Sequence, residues 1–209
     1  MKLLSTVSLL RLICIGLLLS GCAHKLPKAP LISEDWPKHQ TQVDALGKWQ
    51  AVGKLGVKVP NDGGSMNLRW QQQPGEFTID FTGPFGQNLL GIAGHQDQVT
   101  LSEPGKAPIT AKTAEELIRR NTGWTIPVAQ LAYWVRGLPA PTAKVTSFTP
   151  NAQGLIGELE QLGWKVTYSE YLSVNTSMGT LAMPGRITAE FKDIKLTLVT
   201  REWQMEPAL

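Results

Sequence analysis

The chain has 209 residues, 42% of them hydrophobic and 18% charged, which suits one domain with a real core and excludes a disordered chain. It carries 20 Lys and Arg against 17 Asp and Glu, a formal charge of +3 with no basic block, so a dedicated nucleic-acid binder is excluded. Two cysteines, Cys14 and Cys22, allow at most one disulfide and exclude a disulfide scaffold.

The first element is an address. Met1 to Arg11 holds two cations, Lys2 and Arg11, and no acid. Leu12 to Leu19 is an uncharged apolar run, shorter than the roughly 20 residues a membrane-spanning helix needs and suited to the apolar region of a signal peptide. Leu19-Ser20-Gly21-Cys22 resembles the lipobox of bacterial lipoproteins. There small residues let the peptidase reach the Gly21–Cys22 bond, and the Cys22 thiol takes a diacylglyceryl group before its amine is acylated. A plain secretory signal with an incidental cysteine is the alternative. Cleavage leaves 188 residues with 18 basic and 17 acidic side chains. Cys14 is lost and Cys22 becomes a thioether, which closes thiol catalysis and redox readings. Two or more acyl chains anchor stably where one does not. Ala23 in place of Asp after the cysteine points to delivery at the outer membrane. Residues 23–35, with two prolines and little apolar periodicity, read as a tether reaching at most about 45 Å.

Residues 36–47 place Trp36, Val43 and Leu46 on one side of a helix. From Trp49 the dominant period is two. Trp49, Ala51, Gly53, Leu55, Val57 and Val59 alternate with Gln50, Lys54 and Lys58; Met66, Leu68 and Trp70 alternate with polar residues, and so do Phe77, Ile79 and Phe81. Asn61-Asp62-Gly63-Gly64 and Gln73-Pro74-Gly75 are turn sequences. Further strands are expected near 87–94, 97–102, 107–111, 143–148, 154–161, 164–170, 186–191 and 194–203. About eleven consecutive strands with short connections predict a mainly β, antiparallel, strongly curved sheet or barrel. Two helices interrupt the series. Thr113-Ala114-Glu115-Glu116 is a capping box, and Pro127 opens a segment carrying Leu131, Trp134 and Val135 that stops at Gly137 and Pro139. Their apolar stripes need cover, and the apolar face of the sheet is the natural one. The expected organisation is a signal peptide at 1–21, a lipidated N-terminus and tether at 22–35, and one domain at 36–209.

Catalysis finds little support. His24, His39 and His95 are not spaced as metal ligands, no nucleophile elbow occurs, and Gly63-Gly64 lacks the Lys-Ser/Thr and following helix of a phosphate loop. No enzyme activity, metal or cofactor is expected. A curved sheet closed by helices is a container for acyl chains, with Leu55, Val57, Met66, Leu68, Trp70, Phe77, Ile79, Phe81, Leu117 and Trp134 as candidate lining. On pattern alone a solid core is the simpler reading of the same residues. Gly83-Pro84-Phe85-Gly86 puts a large apolar residue near the tip of a turn, where polar residues are usual. Contact with a membrane or partner and folding back onto the sheet are both open to it.

Taken together, the chain resembles the LolB family, the outer-membrane lipoprotein receptors of the bacterial lipoprotein-sorting pathway. The resemblance rests on Leu19–Cys22, the helix leading into Trp49 and Gly53, Arg69-Trp70-Gln71-Gln72, Gly83–Gly86, Thr113–Leu117 and Ile126-Pro127. Trp134–Pro139, Trp164-Lys165-Val166 and Met183-Pro184 continue it in order. It implies an incomplete antiparallel barrel of about eleven strands with a helical lid over an apolar cavity. It implies a monomer that accepts acylated lipoproteins from the periplasmic carrier LolA and places them in the inner leaflet of the outer membrane. The protruding loop's tip is a leucine in the family and Phe85 here, so that role carries over by bulk and apolarity. A carrier of another amphiphile, such as a glycolipid, predicts the same cavity. A structural envelope-assembly lipoprotein predicts a filled core.

Overall fold

The computed structural model describes residues 35–95 and 97–206; the signal peptide, Gly21, Cys22 and nearly all of the tether lie outside them. After helix α1 (Trp36–Ala45), six strands run in meander order: β1 (Lys48–Val59), β2 (Asp62–Gln73), β3 (Glu76–Thr82), β4 (Asn88–His95), β5 (Gln98–Ser102) and β6 (Ile109–Ala111). Helices α2 (Ala114–Thr122) and α3 (Val128–Trp134) follow. Then come β7 (Val145–Pro150), β8 (Ile156–Gln161), β9 (Trp164–Thr176), β10 (Gly179–Phe191) and β11 (Ile194–Glu206).

All eleven described strands pair antiparallel in one open sheet, ordered β6-β5-β4-β3-β2-β1-β11-β10-β9-β8-β7. The first strand therefore lies beside the last at the centre, and β6 and β7 form the two edges. Apolar rows cross the inner face by strict register. One runs Leu101, Ile92, Ile79, Trp70, Ala51, Trp203; another runs Gly64, Val57, Leu196, Ala189, Val166, Leu159. On β1, Lys54 and Lys58 are exposed while the residues between them are sheltered, as a half-wet antiparallel sheet requires.

The register breaks where the chain demands it. Between Val52 and Gly53 the pairing with β11 shifts, and a Cβ at Gly53 would collide with the Val199 carbonyl oxygen, so only glycine fits the approach. The first hairpin turns at Pro60-Asn61, where Asn61 takes a φ of 63°. Asp62, Gly63 and Gly64, read from sequence as the turn, belong to β2. Strands β9 and β10 outrun their expected ends: Leu172, Ala182 and Met183 are paired, and Pro184 sits inside β10. A proline in a central strand has no N–H to give its neighbour. The register shifts beside Gly185, between Pro184 and Arg186, absorb that loss as a bulge.

The capping box forms with one change of partner. Thr113 Oγ1 accepts from the Glu116 N–H at 3.1 Å, and the Glu116 carboxylate reaches back to the Lys112 N–H at 3.1 Å. Helix α1 buries Val43 and His39, with Trp36 against the ring of Phe148 at 5.5 Å. Arg136, 6% exposed, lies over the rings of Tyr133 and Trp49 at 5.1 and 5.9 Å and 4.0 Å from Asp44. It ties α1, β1 and the end of α3 together through its flat guanidinium face.

Among the described residues, the buried side-chain atoms without a hydrogen-bond partner are His39 Nδ1, Trp70 Nε1 and Thr200 Oγ1. Only His39 of these titrates, and burial holds its pKa down from 6.5 to about 4. Because the folded value lies below the unfolded one, protons bind the unfolded chain preferentially as pH falls from 6.5 towards 4. Stability should drop by about 2 kcal/mol between pH 7 and 5 through this residue. Urea unfolding midpoints measured across that range should lose most of their acid slope in His39→Leu; an unchanged slope would rule out His39 as its source.

A candidate apolar binding cavity and its exposed loop

The connection between β6 and β7 joins opposite edges of the sheet, so it has to cross one face. It crosses the apolar one. Between this cover and the strands lies a cavity of about 410 Å³, the size of a small-molecule site. Leu55, Val57, Met66, Leu68, Trp70, Ile79, Phe81 and Trp134 line it, as do Leu90, Ile92, Ile187, Leu196 and Leu198 from the strands and Ile118, Trp124, Ile126, Val128, Leu131 and Val135 from the cover. The row partners Gly64 and Ala189 also line it; small side chains there leave open the volume that a solid core would fill. Among the described residues Asp62 is the one charged residue in the lining; it is exposed, as are Gly63, Gly64 and Thr122 at the rim.

Two residues expected in the wall lie elsewhere. Leu117 is fully buried in the core, and its neighbour Ile118 lines the cavity instead. Phe77 lies near the other end of β3, where its ring fills the place of a side chain at Gly94. The expected lining names only Leu117 and Trp134 from the cover and none from β11, although Leu196 and Leu198 alternate as clearly as Leu55 and Val57, and Ile118 and Leu131 lie on the two helices expected to cover the sheet.

Polar bonds pin the far part of the cover. Gln161, fully buried, accepts from Trp134 Nε1 at 2.8 Å and the Ala140 N–H at 2.9 Å, and donates to the carbonyls of Ala140 and Ala143 at 3.0 and 2.7 Å. Tyr168 donates to the Trp134 carbonyl at 2.9 Å and Tyr171 to the Ile156 carbonyl at 2.8 Å. Burial pushes both phenol pKa values up, so both remain donors. Nearer β6, Glu115 accepts from the Ala129 N–H at 2.8 Å and joins α2 to α3.

The Phe81 and Leu90 backbones, both at the cavity wall, lead directly into the β3–β4 loop. The Gly83 N–H donates to the Gln87 carbonyl at 2.9 Å, the Gly86 N–H to the Gly83 carbonyl at 3.0 Å, and Asn67 Nδ2 to the same carbonyl at 3.0 Å. Gln87 Oε1 accepts from the Phe85 N–H at 3.1 Å, and Gly86 takes a φ of 80° that favours glycine. The loop is thus a braced turn. At its tip Phe85 is 94% exposed, a large ring left in water by a rigid backbone.

A curled antiparallel sheet whose helical cover encloses an apolar cavity defines a β-container for apolar ligands. Among the described residues no group of three or more His, Cys, Asp or Glu side chains could hold a metal, and no helix is long and apolar enough to cross a membrane.

Residues 47–203 match the family model of the outer membrane lipoprotein LolB. The outer-membrane lipoprotein LolB of Cellvibrio japonicus (strain Ueda107) is 45% identical over 200 residues, covering 93% of this chain and 98% of that protein. The one from Stutzerimonas stutzeri (strain A1501) is 35% identical over 195 residues, covering 91% and 92%. A crystal structure of a Vibrio parahaemolyticus domain assigned to outer membrane lipoprotein sorting shares the fold, with a TM-score of 0.53 at 10% identity over 81% of this chain and 89% of that one. The chain belongs to the LolB family: it is an outer-membrane lipoprotein receptor of the Lol sorting pathway and not an enzyme.

Filling the cavity tests its capacity. Ala189→Phe should lower the affinity for a fluorescent fatty-acid probe about tenfold, the equivalent of roughly 1.4 kcal/mol of lost contact, while the urea midpoint changes little. Unchanged probe binding would show that acyl chains do not enter this space.

Proposed function

We propose that the cavity receives the acyl chains of lipoproteins handed over by a LolA-type periplasmic carrier, and that the Phe85 loop brings its mouth to the lipid for release. In this reading the mature chain begins at Cys22, is acylated there, and works as a monomer. It faces the periplasm from the inner leaflet of the outer membrane. Residues 22–35 are its tether and residues 36–209 its single lipid-binding domain.

The observation that carries the proposal is the joining of the two features: the strands that end in the exposed Phe85 turn are the strands whose Phe81 and Leu90 line the cavity. The energetics follow. Three acyl chains hold on the order of 45 methylenes, and at roughly 0.8 kcal/mol each their exposure to water costs tens of kcal/mol. Passage from one apolar cavity into another exchanges like for like, so the step needs a modest affinity difference and no nucleotide. Met66 and the Trp70, Trp124 and Trp134 rings give a lining that adapts to different chains. Gly83, Pro84 and Gly86 hold Phe85 clear of the sheet.

Mixing the protein with carrier loaded with an acylated lipoprotein should transfer the cargo within minutes, and no transfer over hours would refute the receptor step. Phe85→Glu should accept cargo at the wild-type rate yet deliver little of it to liposomes. Wild-type delivery by that variant would remove the loop from the mechanism.

A further inference from the structure

Strand register places a second unusual turn at the end of the sheet that holds Phe85. Glu160, Lys165, Glu190, Lys195, Lys58 and Gly63 are successive cross-strand partners in one row, and the β8–β9, β10–β11 and β1–β2 turns each lie just beyond it. The β3–β4 loop points to the same end. At the β8–β9 turn Gln161 pairs with Trp164, leaving Leu162 and Gly163 as the two central residues, at φ 54° and 76°. Positive φ at both defines the tight hairpin turn that selects Asn-Gly. Leu162 breaks two local rules there: a branched apolar side chain takes a left-handed backbone, and it stands 52% exposed.

The surroundings of this turn suit lipid. Val145, the partner of Gln161, is 38% exposed. Lys144 precedes it, and Lys192 sits with its ammonium 5.2 Å over the Phe191 ring; that ring also bounds Gly163. Both lysines are exposed, and neither makes an ion pair among the described residues. Asp193 shares the β10–β11 turn with Lys192. Apolar tips flanked by long cations match a bilayer interface, where the tips enter the acyl boundary and the ammonium groups reach phosphates.

We propose that the Leu162 turn is a second membrane-contact point, which with the Phe85 loop seats the sheet end on the bilayer at two places. The inference rests on the reading of Phe85 as lipid-facing. Two contacts on different hairpins fix the tilt of the domain, where one contact and a flexible tether leave it free to swing.

The test uses the full-length acylated chain in vesicles of phosphatidylethanolamine with phosphatidylglycerol as minor component. An environment-sensitive fluorophore is attached in turn through Phe85→Cys, Leu162→Cys and Met178→Cys, the last in the β9–β10 turn at the opposite end, and nitroxide-bearing lipid is the quencher. Quenching at 85 and 162 but not at 178 is expected. Quenching at 85 alone overturns the second contact and leaves the first standing; quenching at neither overturns both, and equal quenching at 178 overturns any seating by this end. Leu162→Asn installs the residue the turn prefers, so Tm should rise by about 2–4 °C while delivery of cargo to vesicles falls about tenfold, the loss of one buried leucine contact. Unchanged delivery overturns the proposal; a lower Tm assigns Leu162 to folding and overturns it as well.

Discussion

The topology of the strand order constrains everything above it: the chain leaves the sheet at β6, one edge, and must re-enter at β7, the other, so residues 112–144 have to bridge the sheet from side to side. A bridge over the polar face would strand two amphipathic helices in water and leave the apolar face open. Over the apolar face it buries both, and the sheet curls around it because strands twist and the inner rows attract. What remains is how closely the bridge sits. On the β6 side α2 packs against β5 and β6, with Glu115 tying it to α3, and on the β8–β9 side Gln161 and Tyr168 hold the bridge. A buried amide with all four bonds made is costly to dislodge, since each abandoned partner would lose its hydrogen bond in a dry site. Between those fixed ends, Ala189 in the wall and Gly64 at the rim project too little to fill the space beneath the span. The void follows from a bridge held at both sides over a wall that is thin in places.

That origin explains what could be read in advance. Period two and turn residues located the strands because each depends on neighbours in sequence, and the Thr113–Glu116 capping box marked the start of α2 for the same reason. The errors fall where neighbours in space decide. Pro184 reads as a strand breaker until the bulge at Gly185 is seen to relieve it, and Gly63-Gly64 reads as a turn although Pro60-Asn61 makes the turn two residues earlier. Alternation told which face Leu55 and Leu68 share, but it could not separate a filled core from a cavity. Volume depends on which residues the register aligns across strands far apart in sequence, and Gly64, Ala189 and Leu196 meet only through that register. Phe77 lay on the correct face and outside the cavity, because a face says nothing about distance along the strand. Gln161-Leu162-Gly163 carried a signal that went unread: a leucine before glycine between two strong strands.

A container that must also release its contents faces opposing demands. With Asp62 as the one charged residue in the lining among the described residues, and that at the rim, the wall offers acyl chains dispersion and exclusion of water and little that is directional. Such binding grows with the area covered and is indifferent to chain identity, which suits a receptor for many lipoproteins that share only their lipid. It also sets no large barrier against moving to another apolar medium. A bilayer is such a medium and is far more capacious than one cavity, so once the mouth reaches it the chains partition outward without any input of energy. Direction then comes from geometry: the domain has only to hold its opening against the membrane longer than against the carrier. In the proposed mechanism, apolar tips at the end where the cavity opens would supply that bias, at the cost of exposed surface and, at Leu162, of a left-handed backbone. Stability given up at exposed apolar tips is what a membrane-seated edge would require.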